Sequence, residues 1–407
     1  MELKNYFIKT LRWGLLSLVI VALFGTLMRY KIAFDFPFFN QKYLLHAHSH
    51  FAFSGWVSHF LYCGLFYMVS KHIKPSRFKV YKRLINFNMV VAFGMLFAFT
   101  AQGYKVFSIC FSTLTILIAV LFCVHFFKDV KSSGLNLPWV SWAKTGLVLN
   151  AISYMGPLYL AYMMMSKNIN SDYYLASVYY FLHFQYSGWF FFGAMALGIH
   201  LLPEGIFNFK KYFNVFLVSV VPTYFLSILW ADLPLWLYII TVIASVAQWA
   251  AWVYLFFKLR RTIQKINSGF QLSRILFYIA AAALTLKFTL QMVSVIPSLS
   301  QLVFGFRPIV IGYLHLVLLG VYSLFLIGYL IHTKSIQLNA WAKFGVIGFL
   351  VGVFLNELFL GIQGVASFTY TPIPFINEFL LFAALVLFSS ATGLFVSQLK
   401  SGNRNSN

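Results

Sequence analysis

HFQYSGW occupies residues 183–189, and HFAFSGW occupies residues 50–56. A chain with ten histidines therefore writes one histidine-led phrase twice, 133 residues apart. Internal repeats decide how a long chain is divided into structural units. A further step of 132 residues reaches His315-Leu316-Val317-Leu318-Leu319-Gly320. The serine and tryptophan are lost there, but each copy keeps a glycine five residues after its histidine: Gly55, Gly188 and Gly320. Seventeen residues after the second and third histidines stand His200 and His332, where the first copy has Tyr67.

The surroundings of these phrases are apolar. Of 407 residues, 61% are hydrophobic, 20% aromatic and 9% charged, which is the composition of a polytopic membrane protein. A run of about 20 apolar residues crosses a bilayer. Twelve such runs are expected, near 11–29, 45–70, 85–103, 106–127, 139–165, 175–203, 212–230, 233–257, 275–297, 308–332, 344–364 and 374–396. The expected fold is thus an all-α polytopic membrane protein of twelve transmembrane helices in pseudo-threefold four-helix repeats, forming one membrane domain over 1–407. The three histidine phrases fall in helices 2, 6 and 10, one every four helices.

Short basic loops stay on the cytoplasmic side. With the N-terminus inside, cytoplasmic segments hold 23 of the 30 Lys and Arg, including Lys71, Lys74, Arg77, Lys79, Lys82, Arg83, Lys258, Arg260, Arg261 and Lys265. The outer loops hold six: Arg29, Lys31, Lys42, Lys105, Lys167 and Arg307. An even number of helices then places both termini in the cytoplasm, in an inner-membrane protein. The net charge of +22 is spread over membrane-flanking loops, where topology and anionic lipid explain it; no nucleic-acid partner is expected. The first apolar run, followed by Arg29-Tyr30-Lys31 without a small-residue cleavage site, reads as a helix. Cys63, Cys110 and Cys123 fall inside predicted helices and read as small core residues.

A polar group in hydrocarbon costs roughly 2 kcal/mol or more unless paired, so ionisable residues inside spans mark function or packing. At a rise of about 1.5 Å per residue, His50, His183 and His315 lie on the order of 10 Å below the outer surface. Lys287 and Glu357 reach the same layer from the inner side, and Glu378 lies about one turn into helix 12. Lys287 and Glu357 form a candidate ion pair, with Gln291 among the polar residues able to complete a network. Neutral imidazole ligates haem iron and copper, and two histidines on facing helices give a six-coordinate haem. A glycine beside a ligand admits a flat macrocycle or a second helix.

These features together resemble the catalytic subunit of the haem-copper oxidases, especially its nitric-oxide-reductase and cbb3-type branches. That family has twelve helices with threefold pseudo-symmetry. HAHSHFAFSGWVSHFLYCGLFYMV resembles its segment with an outer low-spin-haem histidine, HFQYSGWFFFGAMALGIHLLP its copper-ligand segment, and YLHLVLLGVYSLFL the segment giving the other haem ligand. The resemblance implies His50 and His315 as axial ligands of one low-spin haem b, Gly55 and Gly320 beside it, and His183 at a copper-ligand position. His46 and His48 compete with His50; at 100° per residue His46 shares its face and His48 points away. Residues 212–230 lack the family's adjacent histidine pair, and Tyr313 replaces the histidine that would hold a second haem.

Tyr can itself ligate haem iron, but a copper site with His183 as its only imidazole is incomplete. The expected function is therefore electron transfer, involving a quinol or a membrane or periplasmic redox partner, or handling of haem or a diatomic gas, without copper-dependent oxygen reduction. A secondary transporter using Lys287 and Glu357, and a haem-free membrane assembly factor, are the alternatives. A transporter predicts a repeat in halves, whereas the chain shows one in thirds. No phosphate-binding glycine loop, HExxH zinc site, CxxCH haem attachment or nucleophile elbow is present.

Overall fold

The computed structural model describes residues 2–203, 205, 207–265, 271–296, 298–299 and 306–400. All regular structure among them is helical, with no strand. Nine helices among the described residues are long and apolar enough to cross a bilayer, from Leu3–Ala33 to Ile376–Leu399. A tenth span exists if the bent pair Lys210–Ser219 and Pro222–Ile228 is one crossing. Pro297, at the end of the predicted span 275–297, lies outside the described residues, as do the side chains of Arg261 and Lys265.

Several helices outrun the apolar runs that predict them. The span expected at 85–103 begins at Pro75, and the one expected at 233–257 runs to Lys265. Their extra turns carry Lys79, Lys82, Arg83, Lys258 and Arg260. Backbone hydrogen bonding continues past the hydrocarbon edge, and long cationic side chains extend into the headgroup region.

Two compact units make up the chain: residues 1–125 with 326–407, and residues 126–325. In the first, Ile376–Lys400 packs against both Glu2–Ala33 and Ala340–Phe368, and Gln41–Phe51 packs against Phe78–Gln102. Glycine makes the contact between Ala340–Phe368 and Ile376–Lys400 close. A Cβ at Gly345 would lie 2.7 Å from the Leu394 backbone nitrogen and 2.9 Å from the Ser390 carbonyl oxygen. Between apolar helices in lipid, such backbone approach supplies packing that hydrophobicity cannot. Thr26 adds a buried hydrogen bond to the Ala384 carbonyl at 3.1 Å.

In the second unit, Pro138–Ser153 lies beside the tract 171–200, and Met155–Met165 packs on Ser171–His183. Gly156 permits that pairing, since a Cβ there would stand 2.5 Å from the Ser177 carbonyl oxygen. Gln271–Val293 packs against the tract 307–332.

The tracts 41–70, 171–200 and 307–332 are not plain α-helices. Each changes to π-helix just after its repeat histidine, over Ala52–Ser58, Phe184–Phe190 and Leu316–Ser323. The π segments begin 132 residues apart. A π turn is rare, because its wider ring packs less well along the axis, and it is often found at functional sites.

Gly345→Ala should destabilise the purified protein by about 1–3 kcal/mol through forced separation of two helices. Gly393→Ala, where a Cβ meets nothing within 4 Å, should leave the melting temperature in detergent unchanged or slightly raised, since alanine favours the helix. Equal melting temperatures for the two variants would refute this packing account.

Candidate functional site

Changing from i→i+4 to i→i+5 bonding releases a carbonyl, which needs another donor when buried. The same position finds one in all three tracts. Ser54, third in its π segment, accepts at its carbonyl from Asn88 Nδ2 at 3.1 Å. Tyr186, third in the second segment, accepts from the Tyr322 hydroxyl. Leu318, third in the last, accepts from Ser323 Oγ at 2.8 Å. Residues 54, 186 and 318 are again 132 apart.

His183 is fully buried, and its Nε2 donates to the Val220 carbonyl at 2.8 Å. That carbonyl lacks its i+4 partner because the helix Lys210–Ser219 bends by 42° into the 3-10 turn Pro222–Ile228, where the Tyr224 N–H goes to the Val221 carbonyl at 3.1 Å. Thr223 Oγ1 caps the same break, 2.8 Å from the Ser219 carbonyl. His183, expected at a vestigial copper position, thus has one ring nitrogen committed to the backbone. Its Nε2 carries a proton and serves a broken helix, in the region where the resemblance would place partner histidines. Nδ1 of His183 is buried without a hydrogen-bond partner.

One turn beyond His183, Ser187 Oγ accepts from Lys287 Nζ at 2.9 Å. Lys287 is 1% exposed, and its ammonium lies 4.2 Å from the centre of the Phe288 ring. Gln291, one turn further along the same helix, is buried with Oε1 unpartnered. Tyr186 meets Tyr313 edge to face at 5.9 Å. A cation, an imidazole, an amide and phenols are thus gathered in the second unit. The chemistry of this set does not suit copper, since an ammonium occupies the neighbourhood of the single imidazole.

Glu357 belongs to the other unit. Its Oε1 accepts from Asn356 Nδ2 at 3.1 Å. Lys287 and Glu357, expected as an ion pair, fall in different units, and each has a partner inside its own. Glu378 is exposed in the first turn of Ile376–Lys400, where a carboxylate favours the helix dipole.

The three histidines near the first repeat separate by face as their spacing predicts. His48 Nδ1 donates to the Val21 carbonyl at 3.0 Å. His46 and His50 instead meet Tyr104, His46 edge-on at 4.6 Å and His50 through Nε2 to the hydroxyl at 2.8 Å. His50 also stacks on Phe99 at 4.5 Å. His315 Nδ1 donates to the Ile311 carbonyl at 2.8 Å, which makes Nε2 the unprotonated nitrogen, the one a metal takes.

Gly55 and Gly320 both have neighbouring side chains close to the backbone. A Cβ at Gly55 would lie 2.9 Å from the Phe51 ring, and one at Gly320 would lie 3.3 Å from Ala283 Cβ. Among the described residues, no three side chains of His, Cys, Asp or Glu converge. No protein-family model matches the chain, and no curated protein matches its sequence.

The residues overlooked by the repeat are Asn88, Tyr104, Ser187, Tyr322 and the Val220–Pro222 break. Tyr186 and Ser187 stand inside HFQYSGW, but only the partner residues give them a purpose. Ser187→Ala should cost about 1.5–3 kcal/mol, because it strips a buried ammonium of its hydrogen bond. Lys287→Met should raise the melting temperature, since a well-packed apolar chain avoids the desolvation of a buried charge. Thermal unfolding of both variants checks this; a less stable Lys287→Met protein would show the lysine to be a structural strut.

Proposed function

We propose that this chain is a haem-binding membrane protein on the plan of the haem-copper oxidase catalytic subunit, holding a low-spin b-type haem and no copper. The supporting observation is the capped carbonyl at the third position of three π segments, each following a repeat histidine. A threefold repeat explains why the same helix defect recurs every 132 residues. A transporter repeated in halves does not.

Twelve crossings follow when the unbroken helical tracts 41–70 and 171–200 and the bent pair are added to the nine helices. The excess of Lys and Arg in alternate loops then sets both termini in the cytoplasm of the inner membrane.

His50 and His315 are the proposed axial ligands, on the resemblance and the repeat register. His315 suits the role, because its Nδ1 bond orients the ring and directs Nε2 as the ligand atom. His50 Nε2 becomes available when Tyr104, itself partly exposed, releases it. A bound haem would supply one-electron chemistry or a site for a diatomic ligand. Phe99 holds the His50 ring by stacking. A quinol in the bilayer is the proposed electron donor, and a periplasmic redox protein the acceptor.

Protein purified after expression with ample haem should show a dithionite-reduced Soret band and a sharp alpha band, with pyridine extraction identifying haem b. His50→Ala and His315→Ala should each abolish the low-spin bands, while His183→Ala should keep them. A colourless wild-type protein would favour the haem-free assembly factor. An unchanged spectrum in His315→Ala would overturn the axial assignment.

A further inference from the structure

Glu357 stands at one end of a cleft of about 670 Å³ in the first unit. The cleft runs along one face of Ala340–Phe368, past Leu358, Gly361, Ile362 and Val365, to Thr371 beyond the helix end. Leu358 and Ile362 are each 42% exposed and Val365 is 67% exposed, so the walls face the surroundings of the helix, which in a membrane are lipid. At Gly361 a Cβ would meet nothing within 4 Å. The glycine is therefore not needed for packing, and its missing side chain deepens the cleft. Glu357 has one hydrogen bond, from Asn356 beside it, leaving most of its acceptor capacity for a ligand.

Depth narrows the ligand. The helix has 29 residues, or roughly 43 Å at 1.5 Å per residue, enough to cross hydrocarbon and headgroup layers together. Glu357 lies 11 residues before Phe368, about 17 Å along the axis from that end. This is well inside the hydrocarbon. Phospholipid headgroups and sterol hydroxyls stay at the interface, and acyl chains carry no donor. A carboxyl group at this depth takes its neutral form, because an unpaired charge in hydrocarbon is too costly; it both donates and accepts, and is complementary to a small polar headgroup on a molecule that resides in the membrane interior.

We propose that the Glu357 cleft binds a hydroquinone with a hydrophobic tail, its ring hydroxyl hydrogen-bonded to the Glu357 carboxyl group and its ring lying over Gly361. This deepens the proposed electron-transfer function by placing the donor's site. Its test uses binding alone, so the outcome does not depend on whether haem is present.

The probe is decylubiquinol, kept reduced under anaerobic conditions, with decylubiquinone as its oxidised counterpart. Binding is measured on full-length protein in phospholipid nanodiscs, with empty nanodiscs subtracted. The quinol, whose hydroxyl both donates and accepts, should bind several-fold more tightly than the quinone, which only accepts. Glu357→Leu, which removes the hydrogen-bonding group, should erase that difference and weaken quinol binding about tenfold. Gly361→Leu should fill the cleft and weaken both ligands at least tenfold while the melting temperature stays that of the wild type. Unchanged binding in both variants would overturn the proposal. So would a Gly361→Leu protein that loses self-association or a partner subunit yet binds quinol normally, which would make the cleft a helix-docking face.

Discussion

A backbone carbonyl released inside a bilayer has no water to accept from, so the protein must supply a donor or give up the irregularity. Three π segments and one proline break release such carbonyls here. Asn88, Tyr322 and Ser323 serve the π segments, and His183 and Thr223 serve the break. Even His59, outside the repeat, donates to the Thr10 carbonyl at 3.0 Å. Much of the buried polarity of this chain is thus arranged by irregular backbone. That changes the meaning of His183: an imidazole in register with two candidate haem ligands is committed by its Nε2 proton to a helix end.

The Lys287 cluster follows a different logic. Its ammonium answers no freed carbonyl and has one hydroxyl as partner, while His183 Nδ1 and Gln291 Oε1 remain without donors. Polar atoms left this way in an apolar interior are a cost that packing alone does not justify. Glu357 shows the same imbalance at the lipid-facing side of the other unit, where a cleft adjoins it. In both places the unsatisfied chemistry is surrounded by helices whose spacing is fixed by glycine and small side chains, as at Gly345 and Gly156.

Much of this was legible in the residues. Composition and apolar run length specify helices that cross a membrane, because only a segment that satisfies its own backbone survives there. The 132-residue step was visible as His183 to His315, and the π segments recur on the same step. The separation of His48 from His46 and His50 followed from 100° per residue. Helix ends were less legible: hydropathy stops where the hydrocarbon stops, while the α-helix of Phe78–Gln102 starts several residues earlier on a basic turn.

What the sequence by itself determined is local and periodic: apolar length, the histidine register, and the face each side chain occupies. Partners were decided only by tertiary structure. HFQYSGW does not state that its tyrosine carbonyl takes a hydroxyl 136 residues away, that its serine takes Lys287, or that its histidine closes a helix broken by Pro222. Those outcomes depend on which helices lie side by side, and in lipid that choice is made by close packing and the search of each buried polar atom for a complement.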